Sequence, residues 1–242
     1  MNIIEQSIEL VEDIDSEKLL WKIEAAARNC YKSEGINEEK SRAKRDALIQ
    51  SAVRRGHTSV LEHGNISFRV ICNRGVSHEW VRHRIGWSYS QESTRYCNYG
   101  HSDGITVIWP WYLGPIPEDP NSLGTISWKG EPGVAARSTE SFIWYRAMES
   151  AEKSYLQLLK VGCKPEAARG VLPNDLKTEI VCTANIVALR HFFKLRCAKA
   201  AHPQIRALAA MLLERLMWAG LDILFQDLID EHLMGKKTED KS

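Results

Sequence analysis

Apolar positions keep a helical period through much of the chain and change to a period of two in short stretches. After Asp15 or Ser16, either able to cap a helix, Leu19, Leu20, Ile23, Ala27, Cys30 and Tyr31 follow one face and predict a helix to about Ser33. Residues 38–55 predict a second, charge-rich helix that stops at Gly56. In Asn65–Asn73 the period changes: Ile66, Phe68, Val70 and Cys72 fall on one side, which is a strand. Val76 and Trp80, four apart, predict a short helix, and Ile105–Trp109 a further strand. A long amphipathic helix over 138–161 carries Phe142, Tyr145, Met148, Ala151, Tyr155 and Leu158 on its stripe and ends at Gly162. Lys177–Lys199 reads as another helix. Pro203 opens the last long one, and Gly220 is placed to break or kink it. Residues 110–135, rich in Pro, Gly and Trp, read as an irregular excursion of the kind used as a lid or an interface element. The expectation is an α+β fold, with long helices packed on a small mixed or antiparallel sheet. It is a single domain over 1–235 with a frayed tail at 236–242.

Composition narrows the function classes. A chain of 242 residues, 44% hydrophobic and 26% charged, can bury a sizeable core and is not of disordered type. With 32 basic against 31 acidic side chains it lacks the positive excess of a general nucleic-acid binder. No apolar run approaches the ~20 residues that span a bilayer, and MNIIEQSIELVEDID lacks the order of a signal peptide. A cytoplasmic protein without a membrane partner is expected. The six cysteines form no Cys-x-x-Cys pair, so reduced thiols are expected. His78 and His83 lack a zinc motif around them, and no metal is assigned.

Chemistry concentrates between Arg82 and Tyr96. Arg82, His83, Arg84 and Arg95 are interleaved there with Ser90, Gln91, Glu92, Ser93 and Thr94. Guanidinium forks grip phosphates and planar heterocycles through paired hydrogen bonds, as a lysine point charge cannot. An isolated Arg-His-Arg is usually a solvated basic turn. The longer string differs, because eight residues separate Arg84 from Ser93. That spacing resembles the signature of the flavin-dependent thymidylate synthases. Three more blocks agree in order: His57-Thr58-Ser59-Val60-Leu61-Glu62-His63, then Arg169 with Val171-Leu172-Pro173, then Leu195-Arg196 with Ala201-His202-Pro203-Gln204-Ile205-Arg206.

The resemblance implies the fold of that family and reductive methylation of dUMP to dTMP. FAD would be the cofactor, NADPH its reductant and methylenetetrahydrofolate the one-carbon donor, leaving as tetrahydrofolate. It implies an FAD site of His57, Ser59, Arg82, His83, Arg84, Gln91, Asn185 and His191. It implies a dUMP site of Glu79, Arg82, Gln91, Glu92, Ser93, Thr94, Arg95, Arg169 and Arg196, with Arg95 on the phosphate. Arg196 would be the catalytic group, stabilising charge that develops on the pyrimidine. It also implies a homotetramer with sites shared between subunits. Two positions differ from the commonest pattern: Ser90-Gln91 replaces Asn-Glu, and Glu79 stands where Gln is frequent. Two rival readings remain. One is a cysteine-dependent mechanism with Cys97 as nucleophile. The other is a non-catalytic nucleotide or RNA-binding module that stacks bases on Trp87, Tyr89, Tyr96 and Tyr99.

Overall fold

The structure, a computed structural model, describes residues 1–31, 38–101, 104–117 and 139–235. Its elements in chain order are β1 (Asn2–Ile4), β2 (Ser7–Leu10), α1 (Ser16–Tyr31), α2 (Glu38–Arg55), β3 (Asn65–Asn73) and α3 (Arg74–Trp80). Then come β4 (Trp87–Gln91), β5 (Thr106–Ile108), α4 (Thr139–Lys160), α5 (Pro165–Ala168), β6 (Lys177–Asn185), α6 (Ile186–Arg196), α7 (Pro203–Leu216) and α8 (Gln226–His232). The fold is α+β, as expected. One sheet has the order β2-β3-β6-β4, and β1 pairs in parallel with β5, Asn2 opposite Thr106.

α1, α2, β3, α3, β5, α4 and α7 fall where periodicity put them, whereas β1, β2, β4, α5 and α8 were not anticipated. β3 alternates, with Ile66, Phe68, Val70 and Cys72 all buried. Gly56 and Gly162 end α2 and α4 at φ +71° and +94°, values that favour glycine. Gly220, at φ +78°, breaks the helical path just after α7. The expected helix over Lys177–Lys199 is a correction: its first half is β6, and only Ile186–Arg196 is helical. In β6 Thr178, Ile180, Cys182 and Ala184 are buried at period two, and β-branched residues suit that pleated surface. The excursion at 110–135 is described only to residue 117, and the tail at 236–242 lies outside the described residues.

The chain divides into two compact units. The first comprises Met1–Ser7, Ile71–His78 and Gln91–Ile180. Its core holds Ile105, Val107, Trp109, Trp144, Met148, Tyr155 and Leu176, with Trp109 and Trp144 edge to face at 5.2 Å. Trp144, absent from the expected stripe of α4, is buried there and donates from Nε1 to Asp175 Oδ2 at 2.8 Å. The second unit comprises Ile8–Val70, Glu79–Ser90 and Val181–Ser242. There Phe68, Trp80, Trp87 and Phe192 form an aromatic cluster with centroids 4.6–6.1 Å apart. All six cysteines are free, and burial pushes the Cys72 and Cys197 thiols up to about 12. Among the described residues no helix is long and apolar enough to cross a membrane.

Candidate functional site

In the second unit the chain turns at Gly86, with φ +75°. A Cβ added there would lie 2.7 Å from Asn185 Nδ2 and 3.0 Å from Ala188 Cβ, so this turn needs glycine both for its angle and for its close approach. Asn185 caps α6: its Oδ1 accepts from the Ala188 N–H at 2.8 Å, while its own N–H donates to the Gly86 carbonyl at 3.1 Å. The Arg82–Arg84 turn and the start of α6 thereby line one cavity of about 770 Å³, together with Glu62, Trp87, His191, Leu195 and Arg196. Arg82 and Arg84 are exposed, and among the described residues neither forms an ion pair.

Arg196, the last residue of α6, spends its fork inside the unit. Nη1 donates to Glu79 Oε2 at 2.7 Å, Nη2 to the Glu79 carbonyl at 3.1 Å and Nε to His83 Nε2 at 2.9 Å. An imidazole nitrogen that accepts from a guanidinium must be unprotonated. The surroundings agree: burial first, then the charges of Arg196 and His191, hold the His83 pKa down at about 4. The His83 ring stands edge-on to Phe192 at 5.0 Å, and its carbonyl accepts from the Tyr89 hydroxyl. Glu79, which stands where Gln is frequent in the pattern the sequence resembles, has its explanation here. It is the counter-ion of Arg196.

In the first unit a second pocket, of about 510 Å³, is lined by Arg74, His78, Thr94, Arg169 and the turn from Leu172 to Leu176. Thr94 is buried, and its Oγ1 accepts from Arg169 Nη1 at 3.3 Å. The expected site residues therefore separate. Arg82, His83, Arg84, Asn185, His191 and Arg196 line the first cavity, while Thr94 and Arg169 line the second.

The rest line neither. His57 and Ser59 are exposed at the start of the short helical turn Thr58–His63, from which Glu62 reaches the cavity. Gln91 donates to the hydroxyls of Ser77 and Thr178, both at 3.1 Å. Glu92 accepts from the Tyr99 hydroxyl at 2.6 Å and from Lys177 Nζ at 3.1 Å. Ser93 accepts at its carbonyl from the N–H groups of Tyr96 and Cys97, and at Oγ from the Arg95 N–H. Arg95 is exposed, its guanidinium 5.4 Å above the Tyr96 ring. Of the four aromatics proposed as base platforms, Trp87 and Tyr89 stack on each other and Tyr99 is tied to Glu92. Only Tyr96, 78% exposed, presents a face of the required kind.

Arg74 was not anticipated. A signal was available, since Arg74 and His78 are four apart and share a face of the short helix whose apolar face Val76 and Trp80 define. The second-unit cavity thus joins exposed guanidinium groups to an apolar lining, and the first-unit pocket carries two guanidinium groups. Comparison with known proteins specifies the class. The family described as "Thymidylate synthase complementing protein" matches residues 9–218. The flavin-dependent thymidylate synthase of Geobacter sulfurreducens is 35% identical over 206 residues, covering 84% of this chain and 78% of that protein. The enzyme of the same name from Mycobacterium avium is 34% identical over 195 residues, 80% of this chain and 74% of its own length. Among solved structures, the UMP/dUMP methylase PolB from Streptomyces cacaoi, bound with 5-Br dUMP, superposes with a TM-score of 0.66 at 26% identity, covering 96% of this chain and 97% of that one. The chain belongs to the flavin-dependent thymidylate synthase family.

Proposed function

We propose that the protein methylates dUMP to dTMP, with methylenetetrahydrofolate as one-carbon donor, FAD as cofactor and NADPH as reductant. The observation that carries this reading is the pair of docked segments at Gly86 and Asn185, which turn Arg82, His83, Arg84 and Arg196 onto one cavity. Its donor set suits a large, flat, diphosphate-bearing cofactor. Arg82 and Arg84 offer unneutralised guanidinium groups, the start of α6 offers N–H groups, and Trp87, Val187, Ala188 and Leu195 offer an apolar floor. Asn185 and His191 border the same space, and His57, Ser59 and Gln91 complete the proposed cofactor set.

When bound and reduced by NADPH, FAD would supply the hydride that turns the one-carbon unit given by methylenetetrahydrofolate into a methyl group, with the pyrimidine's C5 proton lost to solvent and the folate released as tetrahydrofolate. The chain's own contribution is charge and orientation. Arg196, fixed by Glu79 and His83, presents positive charge where the activated pyrimidine accumulates negative charge, and does so with no reorganisation of its own. His83, kept neutral, accepts from Arg196 without adding a second cation beside it. The proposed dUMP set also includes Thr94 and Arg169, which line the first-unit pocket, together with Arg82, Gln91, Glu92, Ser93 and Arg95.

We also propose a cytoplasmic homotetramer with sites shared between subunits. Ile85, 94% exposed beside the cavity, and Trp218, 78% exposed, are apolar surface that a second copy would cover. The deciding experiment is tritium release from 5-tritiated dUMP. Release should require both NADPH and methylenetetrahydrofolate, and dTMP should accumulate in step. A yellow, FAD-loaded protein that binds dUMP but releases no tritium with both co-substrates present would overturn the reading.

A further inference from the structure

We propose that Tyr89 is a positioning residue for the second-unit cavity. Its hydroxyl clasps the turn that carries Arg82, His83 and Arg84 and sets the spread of those side chains before a cofactor arrives. The inference rests on the FAD reading above and goes beyond it, because that reading gives Tyr89 no part.

Residues 81–86 lie between α3 and β4 and belong to neither helix nor strand, so their backbone depends on turn bonds. Two of these join backbone to backbone: the His83 N–H donates to the Trp80 carbonyl at 3.1 Å, and the Trp87 N–H to the Arg84 carbonyl at 3.4 Å. Tyr89 adds a side-chain bond that reaches back over the turn. Its hydroxyl oxygen lies 2.5 Å from the His83 carbonyl oxygen and 3.1 Å from that of Trp80, the last residue of α3. A phenol has one proton to share between these carbonyls, so a single group ties down the backbone on both sides of Arg82.

The local sequence explains why the ring can do this. β4 alternates, which puts Trp87 and Tyr89 on the same side of the strand. Their rings stack with centroids 5.7 Å and planes 9° apart, and Trp87 packs in turn on Phe192 at 5.4 Å. The ring is therefore fixed by stacking and the hydroxyl by the turn. Burial raises the Tyr89 pKa above its ordinary value, so the phenol keeps its proton and remains a donor at neutral pH.

The clasp matters because of what the turn displays. Arg82 and Arg84 are exposed, whereas His83 between them is buried. Two guanidinium groups on one short turn repel each other, and a loose turn would let them spread apart. Held in place, they meet an anionic ligand with less ordering left to do, which favours binding. The same bond holds the backbone from which the His83 imidazole reaches Arg196.

The test is FAD binding to the flavin-free protein, read by quenching of flavin fluorescence, for wild type, Tyr89→Phe, Arg84→Lys and the double variant. Phenylalanine keeps the stacked ring and removes only the hydroxyl. Circular dichroism and thermal unfolding of the flavin-free proteins report folding. Tyr89→Phe should raise the Kd for FAD roughly two- to tenfold, the usual loss for one hydrogen bond. In the Arg84→Lys background the same change should cost a smaller factor, since a point charge on a flexible stem depends less on backbone orientation than a planar fork does. An unchanged Kd overturns the proposal. So does an equal loss in both backgrounds, because the hydroxyl would then support the fold without acting through the arginines. A Tyr89→Phe protein that does not fold overturns it as well, making the hydroxyl a determinant of the fold. A wild-type protein that binds no FAD instead overturns the cofactor reading itself.

Discussion

In the second unit Arg196 spends its donors on Glu79 and His83, whereas in the first unit Arg74 and Arg169 line a pocket with no ion pair among the described residues. The same side chain serves opposite ends. A guanidinium fixed by a carboxylate and a neutral imidazole is already oriented, and its field is available before substrate arrives. A guanidinium left unneutralised has free energy to gain from an incoming anion. The first arrangement should govern the rate of the chemical step and the second should govern affinity.

The largest effect expected is from Arg196→Ala. Removing a preorganised donor lowers kcat by roughly a hundred- to a thousandfold, and flavin content should persist because Arg82, Arg84 and Asn185 remain. Steady-state turnover with an absorbance measurement of bound flavin checks both halves. A variant that loses FAD and activity together would show that Arg196 holds the cofactor site, and the contrast between the units would weaken.

The buried His83 sharpens the comparison through pH. Its folded pKa of about 4 lies below the ordinary value of 6.5, so the unfolded chain takes up the proton first. The stability it contributes is complete above about pH 6.5 and is lost as pH falls towards 4. Between pH 7.5 and 5 the loss should be about 2 kcal/mol by proton linkage. Urea unfolding at the two pH values, for wild type and His83→Asn, measures it. The variant should show a smaller drop, and an equal drop would mean that other groups carry the pH dependence.

Gly86→Ala addresses the docking of the two cavity walls. A positive φ and a Cβ 2.7 Å from Asn185 Nδ2 should cost about 1–3 kcal/mol and lower flavin occupancy, read by thermal unfolding and bound FAD. At the small end, Cys97→Ala should keep most of its turnover in the tritium-release assay. A collapse of activity with flavin and dUMP binding intact would revive the cysteine mechanism.

Much of this architecture was legible because burial follows periodicity. β3 follows its alternation from Asn65 to Cys72, and α2 and α4 stop at glycines that adopt positive φ. Lys177–Asn185 was misread because its apolar residues run into those of Ile186–Phe193, and a short apolar run has no unique period. The turn-forming Asn185 that separates them resembles an ordinary helical residue until its capping bond is seen. For the site, linear motifs identified residues but not their grouping. The stretch from Arg82 to Arg95 reads as one continuous signature, yet Arg82–Arg84 line a cavity in the second unit while Thr94 lines a pocket in the first. Glu79 seemed misplaced because its partner, Arg196, lies 117 positions away. Arg74 carried only a spacing signal, shared with any solvated helix face.

The most direct measurement is the dUMP dependence of tritium release for Arg196→Lys and Arg169→Ala, assayed side by side with flavin content matched. Arg196→Lys keeps the charge but cannot reach Glu79 and His83 together as the fork does, so kcat should fall while KM for dUMP changes little. Arg169→Ala should raise KM for dUMP roughly ten- to a hundredfold and lower kcat far less. The reverse pattern, with Arg196→Lys altering only KM and Arg169→Ala only kcat, would contradict the division of labour between the spent and the open arginines.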